Sequence, residues 1–177
     1  VPLFETPRLI GRPLSREDLP ALAAILSEPW VMKHSLRGVC DEQATSRFID
    51  ECLVCYAEQG IGPWALVERG AGGLVGFCGV SPEQVGGVRE ANLGYRLARR
   101  FWNRGLATEA VRGVLALVFG PLGLDCVVVI IEPDHGASLR VAEKAGFSEY
   151  QQMELHQRPV RLYRMGGQHW QALCLDG

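Results

Sequence analysis

The chain lacks an apolar run near the roughly eighteen residues that a membrane-spanning helix needs, and it lacks an apolar leader segment. It therefore reads as soluble and cytoplasmic, without a membrane partner. An excess of one charge is missing too: 18 Lys and Arg stand against 20 Asp and Glu, for a formal net charge of −2. A nucleic-acid binder that works by neutralising phosphates needs a basic surplus, so nucleic acid is not an expected partner. The six cysteines, at 40, 52, 55, 78, 126 and 174, show no disulfide-scaffold spacing and read as reduced thiols. Cys52 and Cys55 come nearest to a pair. They fall on an expected helix among apolar neighbours, no second pair follows, and the four histidines lie far away. Core packing is the better reading, and no metal is expected. Neither common nucleotide loop occurs at a strand-to-helix junction, since Gly-x-x-x-x-Gly-Lys-Ser/Thr and Gly-x-Gly-x-x-Gly are both absent there. The glycines from Gly70 to Gly76 join two strands with no helix after them. No repeat and no linker appears, and 177 residues suffice for one domain, 1–177, with a real core.

What is present is a basic turn, Arg99-Arg100-Phe101-Trp102-Asn103-Arg104-Gly105-Leu106-Ala107-Thr108-Glu109, between an extended run (Ala91 to Leu97) and an apolar-periodic helix from Arg104 to about Phe119. A strand that turns into a helix leaves backbone N–H groups side by side at the positive end of the helix dipole. That is a seat for a phosphate or pyrophosphate. Gly105 permits close backbone approach, Ala107 leaves the first turn uncluttered, and Asn103 tolerates left-handed geometry better than most residues.

Periodicity places the other elements. Thr6 to Leu14 reads as a strand, and Ser15 with Asp18 as an N-terminal capping signal for a helix that stops by Pro29. A second helix opens at Asp41. Trp64 to Glu68 and Leu74 to Val80 read as a hairpin, Pro82 to Val88 as a loop, and Leu124 to Ile131 as a strand buried on both faces. A helix from Ala137 to Ala145 ends at Gly146, and Phe147 to Leu155 and Val160 to Met165 form a last strand pair. The final ten residues show no readable pattern.

The basic turn resembles the acyl-CoA pyrophosphate loop of the GNAT N-acyltransferase superfamily, Gln/Arg-x-x-Gly-x-Gly/Ala. It is most similar to the RimJ/RimL branch, which acetylates ribosomal-protein N-termini. Trp102 stands at the Gln/Arg position and Asn103 where that branch usually has glycine. Glu132-Pro133-Asp134-His135-Gly136-Ala137-Ser138 through Glu143-Lys144-Ala145-Gly146-Phe147 resembles the branch's Asn-x-x-Ser…Glu-Lys-x-Gly-Phe signature. Thr6-Pro7-Arg8-Leu9, Gly62-Pro63-Trp64-Ala65-Leu66 and Gly76-Phe77-Cys78-Gly79 echo the opening strand and the central hairpin. Together the blocks cover about residues 5 to 165.

The resemblance implies a mixed α/β GNAT fold, with a mostly antiparallel central sheet, a splayed parallel pair formed by the fourth and fifth strands, and helices on both faces. It implies acetyl transfer from acetyl-CoA to a primary amine by direct attack in a ternary complex. The acceptor would be a protein N-terminus or a small amine, and a homodimer is expected. The cofactor would be held mainly by main-chain atoms of Asn103, Arg104, Gly105, Leu106, Ala107 and Thr108. Tyr95 and Leu97 would pair with the pantetheine, and Arg100, Arg104, Arg140 and Lys144 would meet the 3′-phosphate. His135 stands where relatives use Asn to bond the pantetheine. Ser138 would protonate the departing thiolate, with a helix-capping role as its alternative. The tyrosine used elsewhere as general acid would fall at Ala142. Asn92 replaces a glutamate of the branch, which leaves Glu90 as the carboxylate on that strand face able to act as base or orient water. His34 could line an acceptor pocket or lie on the surface. The competing reading is a catalytically silent CoA-binding module, suggested by the departures at Asn92, His135 and Ala142.

Overall fold

The computed structural model describes residues 2–176. In chain order the elements are β1 (Phe4–Glu5), β2 (Leu9–Pro13), α1 (Leu19–Leu26), α2 (Glu42–Gln59), β3 (Pro63–Glu68), β4 (Leu74–Val85), β5 (Val88–Leu97), α3 (Leu106–Phe119), β6 (Cys126–Ile131), α4 (Gly136–Lys144), β7 (Tyr150–Leu155), β8 (Arg158–Gly166) and α5 (Gly167–Asp176). The strands form one eight-stranded sheet in the order β1-β2-β3-β4-β5-β6-β8-β7. Adjacent strands run antiparallel except β5 and β6, which are parallel and meet through the single register pair Asn92 and Val128. Beyond that pair the two strands part. This is the mixed fold with a splayed parallel pair that the family blocks imply, the pair being β5 and β6 because β1 adds a strand at the start.

The expected boundaries need three corrections. The strand read from Thr6 to Leu14 is broken, because Pro7 has no N–H to give a ladder, so Phe4–Glu5 folds back on Leu9–Pro13. The segment from Pro82 to Val88 is not a loop. β4 runs on to Val85 and pairs with β5 to the end, and the turn is Gly86-Gly87, both with positive φ (57° and 81°), as a tight hairpin demands. The unreadable tail is helical, and Trp170 of α5 stacks on Phe119 of α3 with ring centroids 6.2 Å apart.

Helix starts follow the residues expected to set them. The Asp41 carboxylate accepts from the Ala44 N–H at 2.7 Å, and Asp18 accepts from the Ser15 N–H at 2.9 Å while taking two bonds from Arg12. The apolar face of α3 (Leu106, Ala110, Val111, Val114, Leu115, Val118) is fully buried, and Trp64, Leu66, Val127 and Val129 join it in one core. That packing anchors the first turn of α3 and the ends of β5 and β6, where the candidate site lies. Cys52 packs in this core, Cys55 is half-buried, and burial pushes the Cys52 thiol up to about 12. All six cysteines are free.

Candidate active site

After β5 the chain makes one tight turn over Arg99–Phe101 and enters α3 through two left-handed residues, Asn103 (φ 60°) and Gly105 (φ 76°). Asn103 thus takes the geometry for which its side chain is tolerant. Gly105 is the N-cap, and no side chain caps the helix. The Glu109 N–H reaches the Gly105 carbonyl at 3.1 Å. The amides ahead of it have no carbonyl one turn back to bond, and they open at the positive end of the helix. Leu106 and Thr108 are buried and Ala107 half-buried, so these three residues offer backbone rather than side chains.

The turn is braced from below by residues that were quoted in the sequence but not connected. The Glu109 carboxylate accepts from the Thr6 hydroxyl (2.6 Å), the Arg8 N–H (2.8 Å) and the Arg8 guanidinium (2.8 Å), and Arg8 also donates to the Arg104 carbonyl at 2.8 Å. Burial alone would raise the Glu109 pKa, but the bonds from Thr6 and Arg8 outweigh it and hold it below the usual value. Of the four residues named for the 3′-phosphate, Arg100 and Arg104 lie over the Phe101 ring at 4.7 and 5.5 Å. The Trp102 indole N–H donates to the Leu97 carbonyl at 2.9 Å, which ties the turn to the end of β5.

The main chain of β5 is divided between its neighbours. The Ala98 N–H donates to Val75 of β4, and the register Gly76 with Leu97 continues along the hairpin. By the alternation of an antiparallel ladder, Leu93, Tyr95 and Leu97 then turn their backbone groups toward β6. Past Asn92 the splay removes β6 as a partner. A cavity of about 320 Å³ opens there, lined among others by Asn92, Tyr95, Glu132, His135 and Ser138. The Asn92 side-chain oxygen is buried without a hydrogen-bond partner among the described residues.

Two sequence-named residues meet in this cavity. The Tyr95 hydroxyl lies 2.6 Å from the Ser138 hydroxyl and donates to the Ser138 carbonyl at 3.0 Å. Burial drives the Tyr95 pKa well up, so the phenol stays protonated. Ser138 does not sit at the cap of α4. His135 is the N-cap, and the serine hydroxyl is spent on tyrosine instead. Ala142, where other superfamily members place a tyrosine, is buried in the core. Glu90 takes a different place. Its carboxylate accepts two bonds from Arg164 of β8, at 3.0 and 2.5 Å, and the lead effect of that pairing is to lower its pKa. A carboxylate held so is a weak proton acceptor, and it is absent from the cavity lining.

His34 is the residue the sequence left open, and it lies at this cavity rather than on the surface. Its ring stacks on His135 with centroids 4.0 Å apart and planes 11° from parallel, and Nδ1 is 3.5 Å from Glu132. No motif marks it, because the α1–α2 connection has no periodicity and only the fold carries it to the end of β6.

Burial first, and then His34 and Arg96, push the His135 imidazole down to about 4, from an ordinary 6.5. The unfolded chain therefore binds a proton that the folded chain refuses. This stability is full above about pH 6.5 and is lost as the pH falls toward 4. The melting temperature of the native protein should fall across that window, and His135→Asn should flatten the slope. An unchanged slope in scanning calorimetry would remove His135 as its source.

The open helix start, the splayed strands and the cavity between them are the parts of an acyl-CoA-dependent transferase. Residues 8–148 match the family model for the acetyltransferase (GNAT) domain, and the chain belongs to that family of N-acetyltransferases. It is similar to the uncharacterized N-acetyltransferase YoaA of Bacillus subtilis (strain 168), with 27% identity over 152 residues that span 84% of each chain. Among solved structures it resembles the GNAT-family acetyltransferase from Bacillus anthracis, with TM-score 0.78, 22% identity, and 93% and 98% of the two chains covered. It also resembles the aminoglycoside acetyltransferase AAC(6')-Ib solved with coenzyme A, with TM-score 0.76, 18% identity, and 93% and 98% covered.

Proposed function

We propose that the protein transfers the acetyl group of acetyl-CoA to a primary amine by direct attack in a ternary complex, and that it belongs to the RimJ/RimL-like branch. The observation that carries this reading is the parting of β5 and β6 just past Asn92, with the Tyr95–Ser138 hydroxyl pair in the gap. The amides of residues 103 to 108 bind the pyrophosphate, with Arg100 and Arg104 beside it. Backbone groups of Tyr95 and Leu97 take the pantetheine. The Leu97 carbonyl is already used by Trp102, so its N–H is the group left for the ligand. Ser138, backed by Tyr95, gives the proton to the thiolate.

The acceptor is a protein α-amine or another amine of low pKa. An α-amine of pKa about 7.7–8.0 is partly neutral at pH 7, whereas a lysine at about 10.4 is not. No cysteine lines the cavity, which favours direct attack over an acyl-enzyme. The reaction belongs to the reduced cytoplasm, in keeping with six unpaired thiols.

The test has two arms. Acetyl-CoA and CoA, but not ATP, should raise the melting temperature. CoA release should then follow from acetyl-CoA plus a short peptide with a free N-terminal alanine, and not from the same peptide N-acetylated. No release with that peptide or with small primary amines would overturn the reading.

A further inference from the structure

We infer that His34 is the general base that takes the proton from the acceptor amine, with Glu132 and His135 as the residues that position it. The inference rests on the transfer reading above and supplies the proton acceptor which that reading leaves unassigned.

The position usually given to a carboxylate on this strand is Asn92, whose amide cannot take a proton at neutral pH. Its buried, unpartnered oxygen instead suits an N–H of the bound amine, which it would orient. Glu90 is held by Arg164. That leaves the two histidine–carboxylate contacts at the cavity. His156 meets Glu83 at 3.0 Å, but its side chain is 52% exposed, whereas that of His34 is 16% exposed. A desolvated base next to the reacting amine is the more effective one.

The surroundings of His34 fix its orientation. Glu132, at the end of β6, faces Nδ1 at 3.5 Å, and the exposed Asp134 lies 4.0 Å from the same nitrogen. Arg158 of β8 donates to the Glu132 carboxylate at 3.3 Å, which holds the anion in place and puts a fixed positive charge beside it. Across the other face, His135 at the N-cap of α4 stacks on the ring, and Arg96 of β5 and Lys33 lie near the pair. His135 is neutral at pH 7, so the stack packs against His34 without a second positive charge. Nδ1–H directed at Glu132 leaves the Nε2 lone pair for the substrate, the division of labour that a carboxylate imposes on an imidazole.

The step balances. His34 Nε2 takes one proton from the ammonium, and the freed nitrogen lone pair forms the C–N bond to the thioester carbonyl. The C–S bond then breaks with its electron pair on sulfur, and the Ser138–Tyr95 pair protonates the thiolate. The nitrogen loses its second proton to restore that pair, and His34 returns the first to solvent at the cavity mouth. The net release is one proton per amide formed.

For an α-amine of pKa about 7.7–8.0, roughly a tenth is already neutral at pH 7. His34→Gln should therefore lower kcat/KM for the alanyl peptide only about tenfold at pH 7, and progressively less toward pH 9. The acid limb should move up to the amine's own range. Acetyl-CoA affinity should be unchanged, and Glu132→Gln, which frees the imidazole to turn without removing it, should lower kcat/KM at pH 7 by less. A limb that stays put in His34→Gln, or that moves instead in His156→Gln, would overturn the assignment. Long-range proton–nitrogen NMR gives a readout that needs no acceptor. Neutral His34 should carry its proton on Nδ1, and a proton on Nε2 would equally overturn it. Failure of the native protein to acetylate any amine would sink the transfer reading itself, a result distinct from either of these.

Discussion

Gly105→Val should weaken acetyl-CoA binding by roughly a hundredfold or more while leaving a folded protein. The cause is backbone geometry rather than bulk. A Cβ at Gly105 would meet only the end of the Arg8 side chain, at 3.4 Å, an ordinary contact. The φ of +76°, however, is one that a β-branched residue avoids. Any relaxation of that angle turns the amides of residues 103 to 108 away from one another. Two charge-assisted hydrogen bonds lost from a pyrophosphate, at about 1.5–3 kcal/mol each, already exceed a factor of a hundred. Leu106 adjoins the change but the rest of the core face of α3 lies further along the helix, so melting should drop by several degrees and no more. Gly105→Asn separates the two explanations, because Asn tolerates the left-handed region and still adds a Cβ. It should keep most of the affinity, measured by titration calorimetry. Equal loss in Asn and Val would show that side-chain volume matters, and unchanged affinity in Val would remove the turn from the binding site.

The order of elements was legible because each start carries local chemistry: Asp41 before α2, the basic turn that leads into α3, and the β-branched run that becomes β6. The turn at Gly86-Gly87 was missed because Pro82 suggests a break, although β4 carries a proline at that position without losing its register with Ala91. The left-handed turn after β5 was legible for a similar reason, since turn geometry is set by neighbours in the chain. The side chains of the site were not. Ser138 could be named, but its partner Tyr95 lies 43 residues away, Glu109 meets Thr6 across 103, and nothing local in either stretch marks the contact. His34 is the extreme case. Its segment has no pattern, and its place at the cavity comes with a stack on His135 that only the packing of the α1–α2 connection against the end of β6 creates. Glu90 shows the converse. Its strand face was read from alternation, but Arg164, which engages it, comes from a strand not adjacent to β5 in the sheet.

Ser138→Ala and Tyr95→Phe should each slow turnover, Ser138→Ala by about a hundredfold, and the double variant should be hardly slower than the worse single. A positioned general acid contributes about 10²–10⁴-fold. The low end is expected, because a thiolate of pKa about 8.5 leaves tolerably well unaided. Non-additivity follows from the 2.6 Å contact: at rest the tyrosine proton goes to the Ser138 carbonyl and the serine proton to the tyrosine oxygen. The serine proton reaches sulfur only when the tyrosine turns its own toward the serine oxygen, so the two hydroxyls act as one relay. The stability cost discriminates further. Ser138 is buried but does not cap α4, and in Ser138→Ala the Tyr95 hydroxyl keeps its bond to the carbonyl of residue 138, so the loss of stability should be small. Acetyl-CoA affinity should be nearly unchanged throughout, since the contacts proposed for the pantetheine are backbone ones. Fully additive losses in kcat would separate the two hydroxyls into independent roles. A Ser138→Ala enzyme at full speed would leave the thiolate to depart unprotonated, with Tyr95 and Ser138 serving only to hold α4 against β5.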